Sequence, residues 1–436
     1  MPYIWYVMLK ASGLPVLKLN LPIVVLGFIV LQQYIGIPIL YFQLDDYRAL
    51  FVTDKNLVFE VFIYTSLCIS LIITGLFAGR YYFGELKGLD SESSQYLPLR
   101  AFQRTNLLFI GGFCVLILLV YVQSIGIYNL AIASVLGFGD EVDLAVARSQ
   151  MGNAFQGKYH WFKLFFRDIL LFIILIAFAE FQFFKTRFTR IFLFVFIPIL
   201  LFSVIMATEK APLVDLLITF WVAIMIIKNK GKVYLGKLIR FGLIIISSLM
   251  VMYILFMGSA DIVSSIASLF SRALTGQIQP AYHYIEMFPE HEDWLMGRSF
   301  PNPRGILPFE IYDLSKEVMH FVHPQLREMG ITGSMPTIFW SELYANFNFI
   351  GVIIGSFLVG FLLYLGNYIL FTLRFNSVSI ALYVYVIMHY KSLAMTSLSN
   401  FMLDIYILFV CLIGLVIMRV DWLSIGYKSR ASYRNE

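Results

Sequence analysis

Apolar runs of spanning length alternate with short polar connections along most of the chain. They fall at 21–42, 57–78, 106–123, 164–183, 188–206, 212–227, 239–257, 349–371, 378–396 and 401–418. A run of this kind matches a helix that crosses the hydrocarbon core of a bilayer. The pattern therefore predicts an all-α, polytopic membrane protein with about ten transmembrane helices.

The basic residues of the short connections predict how these helices cross the membrane. Lys and Arg concentrate in every second connection, as in 80–104, 185–190 and 228–240, and again in the C-terminal tail. Because cytoplasmic loops are enriched in these residues, we expect both termini to be cytoplasmic and the segment 258–335 to lie outside. The chain starts without a basic leader and cleavable apolar core, so the first span is expected to be retained.

The segment 258–335 interrupts the apolar pattern. It opens with a stretch of helical periodicity, ADIVSSIASLFSRALTG, becomes irregular at the proline-rich FPNPRGILP, and predicts a second helix at about 312–329. The next span is predicted to start with Ser334 as its cap and Pro336 in its first turn. We therefore expect one transmembrane domain, 1–436, that contains a large, partly helical periplasmic loop, 258–335.

Composition narrows the function classes. Of 436 residues, 60% are hydrophobic and 14% are charged, whereas about a quarter are charged in soluble domains. The net charge of +5 is modest and follows from the basic short loops, so no nucleic-acid partner is indicated. Cys68, Cys114 and Cys411 lie in apolar stretches and predict neither a disulfide nor a metal-thiolate site.

Three arginines of the segment 258–335 are candidates for binding a lipid pyrophosphate: Arg272, Arg298 and Arg304. A guanidinium presents paired donors to phosphate oxygens and stays charged at any relevant pH. Arg272 is favoured because it follows an apolar helical stretch that should lie against the membrane. The alternative is that these arginines form ordinary surface salt bridges with acids of the same segment.

A second candidate group is the doublet Glu209–Lys210, in the tight connection between two predicted spans. In the functional interpretation Lys210 contacts phosphate, Glu209 faces the substrate, and Asp215 one turn deeper is the counter-ion. Charged residues at a membrane edge are also common surface anchors, and both interpretations stay open.

The segment FWSELYANFNF places Glu342, Tyr344 and Asn346 at the start of a span. Flanked by apolar residues, Glu342 would be partly desolvated and a better proton acceptor. Its alternative role is a carboxylate that compensates the helix macrodipole. Tyr344 and Asn346 are expected to contact substrate.

Four histidines fall in the segment 258–335, and they do not complete a recognisable zinc spacing. We therefore predict no metal site. His320 is a candidate general base and His283 a candidate base or substrate contact, against the alternative that both are surface histidines. The acidic pair Asp45–Asp46 resembles the paired acids that lipid-sugar-dependent membrane glycosyltransferases place in their first outside loop, and it leaves glycosyl transfer from a polyprenyl-phosphate sugar open as an alternative; a lone acidic doublet is weak evidence for it.

Three stretches, ATEKAPLVDLL, LFSRALTG and GSMPTIFWSELYANFNFIGVIIG, give the chain its family resemblance. Over roughly 200–365 it resembles the Wzy-type O-antigen or oligosaccharide repeat-unit polymerases of bacteria. The resemblance implies a helical bundle like that of GT-C glycosyltransferases, in the bacterial inner membrane. By position, Lys210 and Arg272 would correspond to the family's basic residues near the pyrophosphate, although relatives commonly have an arginine where this chain has Lys210.

The reaction implied by the resemblance is transfer of a growing glycan from undecaprenyl pyrophosphate to the terminal sugar of a new undecaprenyl-pyrophosphate-linked repeat unit. The implied enzyme is a metal-independent glycosyltransferase without a cofactor. Its partners would be the lipid-linked donor and acceptor, membrane lipid and a chain-length regulator protein. Arg272, Glu342 and His320 are the expected catalytic residues. The alternatives are an O-antigen ligase, the polyprenyl-phosphate-sugar enzyme, and a lipid-oligosaccharide transporter or flippase.

Overall fold

The computed structural model describes residues 2–85, 96, 98–137, 151, 159–257, 262–328, 333–373, 376–402, 404–415 and 417. Within these ranges the chain forms helices and no strand. Seven helices are long and apolar enough to cross a membrane: Leu21–Tyr41, Lys55–Phe83, Ala101–Ile125, Arg187–Ile205, Lys210–Asn229, Leu235–Met252 and Phe339–Thr372. The protein is thus an all-helical, multi-pass membrane protein, as its hydrophobic pattern predicts.

The other three predicted spans correspond to shorter helices in the described part of the chain. They are Leu170–Phe184, Ser377–Tyr390 and Ile405–Leu415. The first is preceded by the helical turns Tyr159–Lys163 and Leu164–Ile169, the latter of π type. The total of ten spans and their orientation stay predictions.

The chain divides into two compact units. Unit 1 comprises 1–89, 261–372 and 387–404, and unit 2 comprises 90–260, 373–386 and 405–436. Besides its spans, unit 1 contains the helices Pro2–Ala11, Asp46–Ala49, Ile262–Phe270, Gln279–Met287, Leu314–Val322, Pro324–Glu328 and Leu398–Phe401, and the π turn Ser271–Thr275. Besides its spans and the helices given above, unit 2 contains Ala131–Val135.

Unit 1 is built on one close helix pair. Lys55–Phe83 packs along Phe339–Thr372. A Cβ added at Gly360 would lie 2.0 Å from the carbonyl oxygen of Ile72, so the absence of a side chain lets the two backbones touch. Aromatic residues of the two helices, such as Tyr64 and Tyr344, also contact each other across this pair.

The helix Phe339–Thr372 is interrupted at Phe347 and Asn348. Their backbone angles are non-helical, with φ/ψ of −134°/19° and 55°/−154°. The predicted start with Ser334 and Pro336 is wrong, because the helix begins at Phe339. Proline fits the first helical position but does not require it, and here residues 333–338 form no regular secondary structure.

Several helices of unit 1 differ from the helices that the sequence predicts. The predicted helix 312–329 is two helices, because Pro324 disfavours helical geometry at His323, whose φ/ψ are −129° and 69°. The helices Pro2–Ala11 and Gln279–Met287 were not predicted. The second begins with Pro280 in its first turn, which is the signal that could have marked it.

Unit 2 has its own apolar core. The helix Leu170–Phe184 is buried over most of its length and packs against Arg187–Ile205. One cluster of this core collects Tyr121, Met151 and Phe166 beside Met206. The hydroxyl of Tyr121 donates to the carbonyl of Met151 at 3.1 Å, so the buried phenol has a partner.

Candidate functional site

A buried polar chain runs through unit 1 from Arg48, a residue that sequence reasoning did not single out. Arg48 lies in the short helix Asp46–Ala49, which Asp45 caps by accepting from the Tyr47 amide at 3.1 Å. The Arg48 Nη1 donates to Gln279 Oε1 at 2.7 Å, and its Nε donates to Ser271 Oγ at 3.4 Å. The guanidinium is thereby tied to the start of the segment that carries Arg272.

Gly276 makes room for this guanidinium. A Cβ at position 276 would lie 2.9 Å from Arg48 Nη2. Asp45 is held against the same segment, because its carboxylate accepts a hydrogen bond from the Thr275 hydroxyl. Residues 271–279 therefore contact both Arg48 and Asp45.

Arg48 and Arg272 carry like charges close to each other. Burial lowers the pKa of the Arg48 guanidinium, Asp45 raises it, and Arg272 lowers it further. Arg48 is half-buried, whereas Arg272 is exposed. Two cations that repel each other across a polar surface are stabilised by an anion that contacts both.

Gln279 links Arg48 to His283 by contacting both side chains. Because Arg48 is a donor only, the Gln279 Oε1 faces it and the amide nitrogen is left for His283 Nε2, at 3.4 Å. The His283 Nδ1 then donates to Glu286 Oε2 at 2.8 Å. This pattern assigns the imidazole proton to Nδ1.

His283 is 3% exposed, and both of its ring nitrogens have partners within the chain. These contacts suit a positioning role toward Arg48, and the role of His283 as a base or substrate contact stays a prediction. His323 lies nearby: burial lowers its pKa, and His283 and Arg48 lower it further.

An open groove of about 260 Å³ is lined by Tyr47 and Ser271, the sequence neighbours of Arg48 and Arg272, although neither arginine is itself a lining residue. Its apolar lining residues are Ile39, Leu44, Tyr47, Ala267, Phe270 and Leu274, and its polar ones are Asp45, Asp46, Ser271 and Thr275. Asp45 is buried and accepts hydrogen bonds from Tyr47 and Thr275, while Asp46 is exposed. The groove combines an apolar wall with polar groups at one edge, as a lipid-linked substrate would require.

Glu342 lies in a separate, buried polar cluster. Its carboxylate accepts from the Ser299 hydroxyl at 3.1 Å, from the Ser399 amide at 2.9 Å, and from the Ser399 hydroxyl. Asn346 donates to the Ser299 hydroxyl at 2.7 Å and accepts from the Gly297 amide at 2.8 Å. Glu342 and Asn346 thus hold the loop around 297–299 against the helix.

Tyr344 belongs to an aromatic group on the same helix. Its ring meets Tyr64 edge-on at a centroid distance of 5.0 Å and Trp294 at 5.2 Å. Tyr64 in turn stacks on Trp340 at 5.5 Å. The Tyr344 side chain is buried, and its hydroxyl donates to the Phe288 carbonyl at 3.4 Å, so both its ring and its hydroxyl have partners within the chain.

Two further candidates of unit 1, His320 and Arg298, share no hydrogen-bond partner with Arg48 among the described residues. His320 Nδ1 is 3.9 Å from Glu317 Oε2 and has no hydrogen-bond partner within the described residues. The Arg298 guanidinium lies 5.9 Å from the centre of the Tyr312 ring, and its Nε donates to the Leu295 carbonyl at 3.3 Å. The Arg304 side chain lies outside the described part.

Glu209 and Lys210 belong to unit 2, at the start of the helix Lys210–Asn229. The Glu209 Oε2 accepts from Arg167 Nη1 at 3.3 Å. Arg167 was not predicted as a site residue. Like Arg48, it is a basic residue next to a predicted outside connection, and that position was the available signal.

Among the described residues, no group of three or more His, Cys, Asp or Glu side chains is arranged to hold a metal ion. Comparison with protein-family models, with curated proteins and with solved structures finds no match to this chain.

Proposed function

We propose that the protein is a metal-independent glycosyltransferase that polymerises lipid-linked oligosaccharide repeat units. It transfers the growing glycan from undecaprenyl pyrophosphate to the terminal sugar of a new lipid-linked unit, at the outer face of a bacterial inner membrane. The observation that carries the proposal is the pair Arg48 and Arg272 beside a groove with an apolar wall.

The arginine pair suits the charge that develops in this reaction. When the glycosidic bond to the lipid breaks, negative charge accumulates on the departing pyrophosphate. Arg272 is exposed and available to it, and Arg48 is held in place by Gln279 and Ser271. Cations that are fixed before the reaction stabilise the leaving group without reorganisation.

The acceptor hydroxyl needs a base, for which the sequence offers Glu342 and His320. Glu342 accepts three hydrogen bonds from Ser299 and Ser399, so taking a proton would disturb a buried network. His320 lies 3.9 Å from Glu317 Oε2, and its Nδ1 is engaged in no hydrogen bond within the described part of the chain, so proton transfer to this ring would break no such bond at Nδ1. We therefore assign the base to His320 and a positioning role to Glu342.

The test is polymerisation by the purified protein in detergent. Wild type and Arg272→Ala are incubated with an undecaprenyl-pyrophosphate-linked repeat unit and a chelator, and the products are read as a ladder on a gel. We expect the variant to lose about a hundredfold to a thousandfold in rate. Arg327→Ala, which removes an exposed arginine from the helix Pro324–Glu328, should keep the wild-type ladder.

The exposed carboxylate of Asp46 in the same groove favours one second candidate, a glycosyltransferase that uses a polyprenyl-phosphate sugar. Activity that appears only with that donor and a divalent metal, and that is lost in Asp46→Asn, would replace the first proposal. An unchanged ladder in a folded Arg272→Ala variant would also refute the role given to the arginine pair.

A further inference from the structure

Arg167 of unit 2 is a buried cation, and its ion pair with Glu209 uses only part of its hydrogen-bond donors. Its side chain is 10% exposed, and Nη1 donates to Glu209 Oε2 at 3.3 Å. The Nε and Nη2 atoms are buried and have no hydrogen-bond partner in the part of the chain that the structure describes. Glu209 is 48% exposed, so the acid of the pair is largely hydrated.

The two unpaired nitrogens form one edge of the guanidinium. The N–H groups of Nε and Nη2 point in the same direction, and this edge binds two oxygens of one phosphate or carboxylate at once. A guanidinium stays charged at physiological pH, and a buried donor without a partner destabilises the folded state because it has lost its hydrogen bonds to water. Arg167 thus keeps a complete docking edge for an oxyanion at a substantial cost to folding.

The surroundings of Arg167 suit an amphipathic ligand. Its neighbour Phe166 belongs to the buried cluster with Tyr121 and Met206. Tyr159 also feels both members of the ion pair: burial raises the pKa of its hydroxyl, Arg167 lowers it, and Glu209 raises it. The Arg167–Glu209 pair therefore lies close enough to the Tyr159 phenol to act on it electrostatically, and the residue before Arg167 belongs to an apolar cluster.

We propose that Arg167 binds the phosphoryl oxyanion of a lipid-linked substrate through its Nε–Nη2 edge. The inference rests on the proposed function, in which two lipid pyrophosphates, donor and acceptor, must both be bound. Unit 1 holds one of them with Arg48 and Arg272, and unit 2 holds the other with Arg167. Glu209 keeps the guanidinium oriented and partly competes with the ligand for it.

The experiment measures pyrophosphate binding to the full-length protein in detergent by calorimetry, in an Arg272→Ala background that disables the other site. Arg167→Lys keeps the charge but removes the paired donors, and should weaken binding at least about tenfold. Glu209→Gln removes the competing carboxylate and should tighten binding by about threefold or more. The melting temperature and size-exclusion profile of each variant establish that it is folded.

A purely structural ion pair would give another result. Both substitutions would then lower the melting temperature, and neither would change pyrophosphate affinity, which would overturn the proposal. If Arg167→Lys does not fold, the Glu209→Gln variant still decides, because only an anion site gains affinity from it.

A second arm identifies the source of the oxyanion. Undecaprenyl pyrophosphate should displace inorganic pyrophosphate at a concentration about tenfold lower or less, since it adds apolar contacts. Failure to compete would overturn the assignment to a lipid-linked substrate. Binding at Arg167 without any polymerisation ladder would refute the proposed function alone, whereas a ladder that is unaffected in Arg167→Lys would refute this inference alone.

Discussion

The substitution Gly360→Ala tests the helix pair on which unit 1 is built. The added Cβ would lie 2.0 Å from the Ile72 carbonyl oxygen, a backbone atom that no rotamer change can move away. A carbon and a carbonyl oxygen need about 3.3 Å even in a close contact. The two helices must therefore separate by about 1 Å or distort locally.

The cost follows from that separation. Forcing a methyl group into a closely packed interface costs about 1–3 kcal/mol, and here the upper end applies because the obstacle is backbone. The helix gains up to about 1 kcal/mol when Ala replaces Gly. We expect a net loss of about 2 kcal/mol in the free energy of unfolding. Gly75→Ala should behave alike, since its Cβ would lie 2.1 Å from the Phe357 carbonyl oxygen.

The assay is unfolding of the purified protein by titration with sodium dodecyl sulfate, followed by circular dichroism. Gly27→Ala in the span Leu21–Tyr41 is the matched control, because a Cβ there meets no atom of the described residues within 4 Å. The control should be neutral or slightly stabilising. If Gly360→Ala unfolds at the same detergent fraction as Gly27→Ala, the two backbones are not in contact and the reasoning is refuted.

Two further predictions concern the polar groups of unit 1. Glu342→Gln should destabilise the protein by about 1–3 kcal/mol, because an amide cannot accept every hydrogen bond from Ser299 and Ser399, and an unchanged detergent unfolding curve would contradict the network. His323 has a lowered pKa, so between that pKa and its ordinary value the unfolded chain binds more protons than the folded one. Stability should therefore fall as the pH drops through and below about 6.5, and His323→Gln should make that fall in melting temperature smaller. Identical pH profiles for wild type and variant would argue against it.

Part of the candidate site was visible in the sequence. The helical period of ADIVSSIASLFSRALTG predicted an amphipathic helix ending at a glycine, and the structure has Ile262–Phe270 followed by the π turn Ser271–Thr275. Arg272 is singled out by that pattern together with the family resemblance of LFSRALTG. The sequence marks Asp45–Asp46 only as a feature of an alternative enzyme, and it does not single out Arg48, two residues after them.

The relations between distant residues could not be predicted in this way. Arg48 and Gln279 are 231 residues apart in sequence, and no local signal pairs them. Glu342 looked like a base because its neighbours are apolar, yet Ser399, 57 residues away, supplies the donors that engage its carboxylate. A hydrogen-bond partner that comes from another helix is set by packing and not by the neighbours in sequence.

The sequence by itself determined that the chain is helical and crosses a membrane several times, because long apolar runs have no other way to satisfy their backbone groups in lipid. It also showed which segment is too polar to be a span. Only the tertiary structure decided which distant polar side chains contact each other: Arg48 with Ser271 and Gln279 in unit 1, and Arg167 with Glu209 in unit 2. Helix periodicity specifies which face of a helix is apolar, whereas the partner of each polar side chain depends on which helices pack together.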